Sequence, residues 1–406
     1  MASPAPCLGC GARAADVLVD FGLQPPSNRF ERAGAGTTET HPLVLGQCAA
    51  CGLLQLLEPM PPAMARSRFE WLTYNEPEGH LDELVARLCR LPGVGPASRI
   101  AGVTYKDDTT LARFKRLGYA NTYRYDMAAD LELRDPCAGL ESIQGAMDEA
   151  RAGALAARHG LADLLVVRHI LEHAHRPAAF LRLLRALVKP GGRLVCEMPD
   201  CAKFVHACDY SFVWEEHIAY FSRQTLAGLL DSAGVEVESA HLFPYPLEDS
   251  LIAVVRNAKP AAAARARGDL DAALADGQAF ARRFAGMGER MRRLFGRWRL
   301  DGKRVAVFGA GHLAAKFVNF FALGALLECV IDDNPRKQTL LMPGSRLPIR
   351  GSAELASRPI DICLLSLNPE SEQKVLAKNQ SFLARGGRFL SIFALSPQSV
   401  YREAAP

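Results

Sequence analysis

The sequence contains no apolar run long enough to span a bilayer, and no basic N-terminal stretch leading into an apolar one. It therefore describes no membrane protein, and a soluble cytoplasmic chain is the expectation. Charge of one sign is also missing. A formal net charge of +4 over 406 residues gives no reason to invoke nucleic acid. A disulfide framework is absent too. Of eleven cysteines, four form two CxxC pairs near the start and the rest are scattered, mostly in apolar surroundings. That usage suits a reducing compartment and one metal site. Ordinary globular composition at this length predicts two or three domains.

The metal site is Cys7-Leu-Gly-Cys10 with Cys48-Ala-Ala-Cys51. Each pair places two thiolates on a tight turn, and Gly9, Gly11 and Gly52 supply backbone freedom. Four sulfur ligands suit tetrahedral zinc and leave no open position, so the site is structural.

From about Gly79 strands and helices alternate. SRIAGV, NTYRYD, ADLLVVR and GRLVCEMPD read as strands, with DDTTLARFKRLG and PAAFLRLLRALVKPGG as helices between them. This alternation predicts a doubly wound parallel sheet with ligands at the carboxyl ends of its strands. Asp126 ends the second strand, where a carboxylate accepts the ribose hydroxyls of an adenosine cofactor; an exposed turn aspartate is the plainer alternative.

Resemblance adds to these local readings. CLGCGARAADVLVDFGLQPPSNRF, HPLVLGQCAACGLLQL, RHILEH, LVKPGGRLVCEMPD and EEHIAYFS occur in one order. That ordered set resembles the sugar-nucleotide C-methyltransferases of deoxysugar pathways, over nearly the whole chain. The resemblance implies an α/β chain of four parts. These are a four-cysteine zinc domain at 1–75 and a class I S-adenosylmethionine (SAM) methyltransferase-like domain at 76–258, then a helical linker at 259–300 and a second Rossmann-like domain at 301–406. It implies a sugar-nucleotide substrate, SAM and zinc, in a monomer or homodimer. The run from His169 to His173 also fits H-x-x-E-H, a zinc peptidase pattern. That reading fails because the run leaves a buried strand rather than lying within a helix. His169 is then expected to line the cofactor pocket and His173 to be structural.

Histidine takes and returns protons near neutral pH. The resemblance makes His217, within Trp214–Phe221, the base that removes a proton next to a sugar ketone. Glu216 and Tyr220 match the same motif. Trp214 stands where relatives often have tyrosine. Tyr74 and Glu76 fall in a segment that lines the pocket in relatives, although an interdomain linker fits them as well. Ser250 matches a substrate strand, whereas Glu248 and Asp249 depart from it.

In 259–300, Phe280, Phe284, Met287, Met291, Leu294 and Trp298 recur at three- and four-residue steps, marking one face of a long helix. The many arginines fall elsewhere and read as its solvated side. Gly309-Ala-Gly311-His312 then follows a strand and opens a helix, with Asp332 and Asp333 downstream. Alone this is an NAD signature. In relatives the domain helps position the nucleotide-sugar, which would put a phosphate on the amides of Gly309–Gly311, with Lys316 as a candidate partner.

One absence bears on the chemistry. IAGVTYKDDTTLARF, from Ile100 to Phe114, has no glycine after Gly102. In the family the loop resembles Ile-Gly-Ser-Asn-Asp-Gly-Thr-Leu-Leu. Laid on that, Thr104 and Asp108 replace both glycines, while Asp107, Thr109 and Leu111 survive. Thr104, Asp107 and Asp108 are expected to border the cofactor. Methyl transfer is the leading reading. The others are a non-methylating isomerase, epimerase or NAD-linked enzyme with a repurposed loop, and a noncatalytic nucleotide-sugar binder.

Overall fold

The computed structural model describes residues 6–12, 15–34, 36, 39–72, 76–258 and 267–404, of which 267–269 are described as backbone alone. Tyr74 and the linker segment 259–266 lie outside the described residues. The chain forms two compact units that interleave in sequence. One comprises Met1–Asp16, Gly46–Ala202 and Glu216–Leu274; the other comprises Val17–Leu45, Lys203–Glu215 and Ala275–Pro406.

The first unit is built on a six-stranded sheet of β1 (Ile100–Gly102), β2 (Thr122–Arg124), β3 (Ala162–Arg168), β4 (Val188–Asp200), β5 (Glu236–Phe243) and β6 (Asp249–Arg256). Their spatial order is β5-β6-β4-β3-β1-β2. The first four run parallel, as the strand–helix alternation predicts. The sheet is mixed, however, because β6 is antiparallel to both β4 and β5. A connection of only a few residues between β5 and β6 permits a hairpin and no parallel crossover. β3 is buried except at Asp163 and β6 is buried up to its last residue, which explains their nearly unbroken apolar sequences. Helix α1 (Asp108–Arg116) follows β1 and packs Leu111 and Phe114 on one face of the sheet, with Leu164, Val166 and Ile252. Helices α2 (Leu140–Ala146) and α3 (Pro177–Ala186) bring Ile143, Leu181 and Leu184 to the other.

The chain goes from β1 to β2 on one side and then to β3 on the other. The carboxyl ends of β1 and β3 thus flank a topological switch point, where open α/β sheets bind ligands. Behind it, the short strand Ala219–Tyr220 pairs antiparallel with Leu54–Leu56. The Ile218 amide donates to the Glu172 carbonyl at 2.7 Å.

From Ala275 onward helix α4 (Arg267–Leu300) belongs to the second unit, where it buries Phe280, Met291, Leu294 and Trp298 of the predicted apolar face, and Phe295 with them. A parallel sheet follows, made of β7 (Val305–Phe308), β8 (Cys329–Ile331), β9 (Ile349–Arg350), β10 (Ile362–Leu365) and β11 (Arg388–Ser391). Its order is β9-β8-β7-β10-β11, the Rossmann-like arrangement expected of this part. Helix α5 (His312–Phe320) leaves the end of β7. No helix among the described residues is long and apolar enough to cross a membrane.

Candidate functional site

Two matching turns hold the four cysteines. The Gly11 amide donates to the Cys7 carbonyl at 3.0 Å and the Gly52 amide to the Cys48 carbonyl at 2.7 Å. Both glycines have positive φ, 70° and 78°, which a side chain would strain. Cys7 Sγ lies 3.5 Å from Cys51 Sγ, Cys10 Sγ 3.8 Å from Cys48 Sγ, and all four sulfurs lie within 4.8 Å of one another. A hydrogen bond with Cys51 pulls the Cys7 thiol down to about 5, and burial pushes Cys48 up to about 11. Four thiols converging in a largely buried space fit the zinc ion expected there.

At the switch point the loop after β1 is tied down by its own residues. Asp107 Oδ2 accepts from the amides of Val103 and Thr104 at 2.7 and 2.8 Å, and Oδ1 accepts from the Arg168 amide at 2.8 Å. Thr104 Oγ1 caps the Lys106 amide. Thr104 and Asp107 are thus a buried capping box, T-x-x-D, rather than side chains offered to a ligand. Burial pushes the Asp107 carboxyl up to about 7, against the three amides and the Arg168 charge. Asp108 is exposed and pairs with Arg124 at 2.8 Å. The missing glycines are thereby accounted for. A Cβ on Gly102 would meet Asp107 Cβ and Leu111 Cδ1 at 2.8 Å, so the remaining glycine makes room for the box.

Beneath the loop lies a buried charge network that the sequence reading missed. Arg168, at the end of β3, donates through Nε to Glu197 Oε2 at 2.6 Å. Its Nη1 reaches the Lys106 carbonyl, Thr109 Oγ1 and Glu78 Oε1. Ser250 Oγ donates to Glu197 Oε1 at 2.9 Å, so the expected substrate contact is a buried partner of this carboxylate. Burial opposes ionisation of Glu197, but His169, His80 and Arg168 hold it well below the usual range. Glu76 pairs with Lys106 at 2.9 Å. Burial, with Glu76 and Glu172 nearby, holds the Glu248 carboxyl well above the usual range.

Asp126 lies just beyond β2, exposed. Its Oδ1 caps the amides of Ala128 and Ala129 at 2.9 and 2.6 Å, and among the described residues Oδ2 has no such duty. His169 has φ 50°, a strained conformation for a non-glycine residue, and its ring lies 3.4 Å from Glu172 and 3.3 Å from Glu197.

His173, expected to be structural, lies at the centre of a polar cluster. Its Nδ1 is 3.1 Å from Glu141 Oε1, on α2, and its ring is perpendicular to that of His217 with centroids 4.8 Å apart. Glu141, His173 and Glu216 each bring a ligand atom within 4.8 Å of the others, as do Glu172, His173 and His217. Burial works against the Glu141 carboxylate, yet His173 keeps it below the usual range. Partial burial and the charges of Glu141, Glu216 and Glu76 push the Tyr105 hydroxyl up to about 12. Tyr220 is buried, its ring 6.1 Å from His217. The first unit thus holds Glu216, His217 and Tyr220 together with Tyr105, Glu141, Glu172 and His173. Trp214 belongs to the second unit, where it stacks on His312 at 4.0 Å.

In the second unit the Gly309–Gly311 turn is closed by its own residues. Asp332 Oδ2 accepts from the Ala310 amide and Lys337 Nζ at 2.9 and 3.1 Å, and Oδ1 accepts from Asn334. Both oxygens of that carboxylate are thus engaged by groups of the turn itself. Gly309, at φ 107°, is required because a Cβ would stand 2.6 Å from Ser366 Oγ, whereas Gly311 faces open space. Lys316 is fully buried, 2.6 Å from Glu215, and donates to the Pro25 carbonyl. It is an internal ion-pair partner and is not presented to a phosphate.

Comparison with known proteins gives three family matches in one order. Residues 7–64 match a "Putative zinc binding domain", 103–240 a methyltransferase domain, and 263–394 a C-methyltransferase C-terminal domain. The C-methyltransferase NovU of Streptomyces niveus is 25% identical over 403 residues, covering 95% of this chain and 94% of the relative. An O-methyltransferase family protein of Burkholderia thailandensis is 20% identical, with a TM-score of 0.28; the match covers 42% of this chain and 55% of that one. The magnesium protoporphyrin IX methyltransferase ChlM of Synechocystis PCC 6803, solved with bound SAM, is 14% identical over 43% of this chain and 77% of that one, with a TM-score of 0.28. The three domain matches in this order, with similarity to a C-methyltransferase over 95% of the chain, support a SAM-dependent C-methyltransferase that carries a zinc-binding domain and a C-terminal domain.

Proposed function

We propose that the enzyme methylates carbon in a keto-deoxysugar carried on a nucleotide, with His217 as the base that takes the proton beside the ketone. One observation carries the reading. The bond from the Ile218 amide to the Glu172 carbonyl sets His217 against His173, next to the switch point where the cofactor edge lies.

Losing a proton beside a ketone leaves an enolate, which needs a base near neutrality and a donor for its oxygen. His217 suits the first task. Tyr105, whose hydroxyl keeps its proton up to about pH 12, suits the second. Glu141 fixes the His173 ring, and that ring in turn packs against His217. Oδ2 of Asp126 would hold the ribose of SAM. When bound, SAM supplies the methyl group that the nucleophilic carbon accepts.

The test is solvent-deuterium exchange into a panel of keto-deoxysugar nucleotides, run beside turnover with isotopically labelled SAM. Wild-type protein should exchange the proton next to the ketone of its substrate. His217→Ala should abolish exchange while nucleotide binding survives. Undiminished exchange in that variant would remove His217 from the mechanism.

A further inference from the structure

Glu172 is a carboxylate in an unusual position. The residue is 2% exposed, and neither carboxylate oxygen has a hydrogen-bond partner among the described residues. Its nearest cationic neighbour is His169 Nδ1, 3.4 Å from Oε1. Leaving a buried carboxylate without hydrogen bonds costs several kcal/mol, roughly, and such a group ordinarily signals a missing partner. What surrounds this one is a set of metal-ligating atoms. Glu172, His173 and His217 each bring one within 4.8 Å of the other two.

Glu141 Oε1 lies 3.1 Å from Nδ1 of His173, so a carboxylate already orients one side of that ring. A carboxylate that grips the far nitrogen of a histidine is the usual support for a metal-binding imidazole. Two imidazole nitrogens and one carboxylate oxygen suit a divalent first-row cation with a position left open. Around a tetrahedral ion with bonds of about 2.0 Å, donors stand about 3.3 Å apart, so the cluster would close by roughly 1–1.5 Å on binding. The four-cysteine site is chemically distinct, being all sulfur and closed.

We propose that Glu172, His173 and His217 form a second divalent-cation site, and that a bound ion inhibits the enzyme. The ion takes a ring lone pair of His217, the pair needed to accept the substrate proton. The inhibition rests on His217 being the base; the site itself does not. Glu141 acts as the positioning residue, through His173.

The test uses the full chain with zinc retained at the cysteines, titrated with Co²⁺ and followed by equilibrium dialysis and visible absorption. Wild-type protein should take one further equivalent, with weak d–d bands and no intense thiolate charge-transfer band. Glu172→Gln, which is nearly isosteric, and His173→Gln should each weaken that equivalent at least tenfold. Glu141→Gln should weaken it about tenfold, the usual effect of losing such a support. Absence of the extra equivalent in wild-type protein overturns the site without recourse to any variant. So does cobalt affinity that Glu172→Gln leaves unchanged. Deuterium exchange should fall in proportion to cobalt bound, and undiminished exchange at full occupancy overturns the inhibition. If His217→Ala leaves exchange intact, the base assignment falls while the cobalt titration still decides the site.

Discussion

Arg168 and Glu197 form an ion pair at 2.6 Å with side chains 1% and 0% exposed, each on a central parallel strand of the first unit's sheet. A pair buried this deeply is held by its surroundings rather than by attraction alone. Arg168 also fastens the loop after β1 through the Lys106 carbonyl and Thr109 Oγ1, and Ser250 completes Glu197. The pair thus joins the loop after β1 to the sheet.

Replacing Arg168 with methionine roughly keeps the volume and removes the guanidinium that lies 2.6 Å from Glu197. The expected loss is about 3–5 kcal/mol of stability, read as a lower urea midpoint for the first unit. Arg168→Lys should recover only part of this, since one ammonium cannot span acceptors on four residues. A midpoint unchanged in Arg168→Met would mean that the pair adds nothing to folding.

His169 gives the stability of the first unit a pH dependence. Burial disfavours the charged ring, but Glu76, Glu172 and Glu197 outweigh it and raise His169 to about 10. A base whose folded value exceeds its unfolded value of about 6.5 stabilises fully below that pH and loses the contribution as pH rises through about 10. The melting temperature should therefore fall between pH 7 and 10, on the order of 5 °C more in wild-type protein than in His169→Asn. Asparagine tolerates the positive φ at this position, so backbone strain does not confound the comparison. Parallel pH profiles in the two proteins would show that His169 is not the titrating group.

The legible parts of this molecule were those carried by local pattern. ADLLVVR predicts a buried strand because Leu164 to Val167 form an unbroken apolar run between Asp163 and Arg168, and the paired CxxC turns predict their own geometry. The polar cluster was illegible because its members come from different elements: Glu141 from α2, Glu172 and His173 from the turn after β3, and His217 from the segment before Ala219–Tyr220. No spacing rule joins them. Two signals were nevertheless present. Arg168 and Glu197 are opposite charges within apolar strands, and a charge buried on a central strand demands a partner. Thr104-Tyr-Lys-Asp107 has capping-box spacing, so the loop's side chains were spoken for before any cofactor approached. Lys316 carried the same warning, as the lone charge in HLAAKFVNF.

That lysine supports the last prediction. Lys316 and Glu215 are both fully buried at 2.6 Å, with Ser27 donating to the carboxylate through its amide and its hydroxyl, and the Pro25 carbonyl accepting from Nζ. Removing the lysine leaves a buried carboxylate whose remaining partner among the described residues is Ser27, so Lys316→Met should cost the second unit about 3–5 kcal/mol. Glu215→Gln should also destabilise, because it strands an ammonium. The double variant removes both charges and should cost less than the sum of the single changes by at least about 1 kcal/mol. Urea unfolding of the four proteins closes the cycle. Additive losses would mean that the two charges do not sense each other, and that Lys316 is kept for some contact other than Glu215.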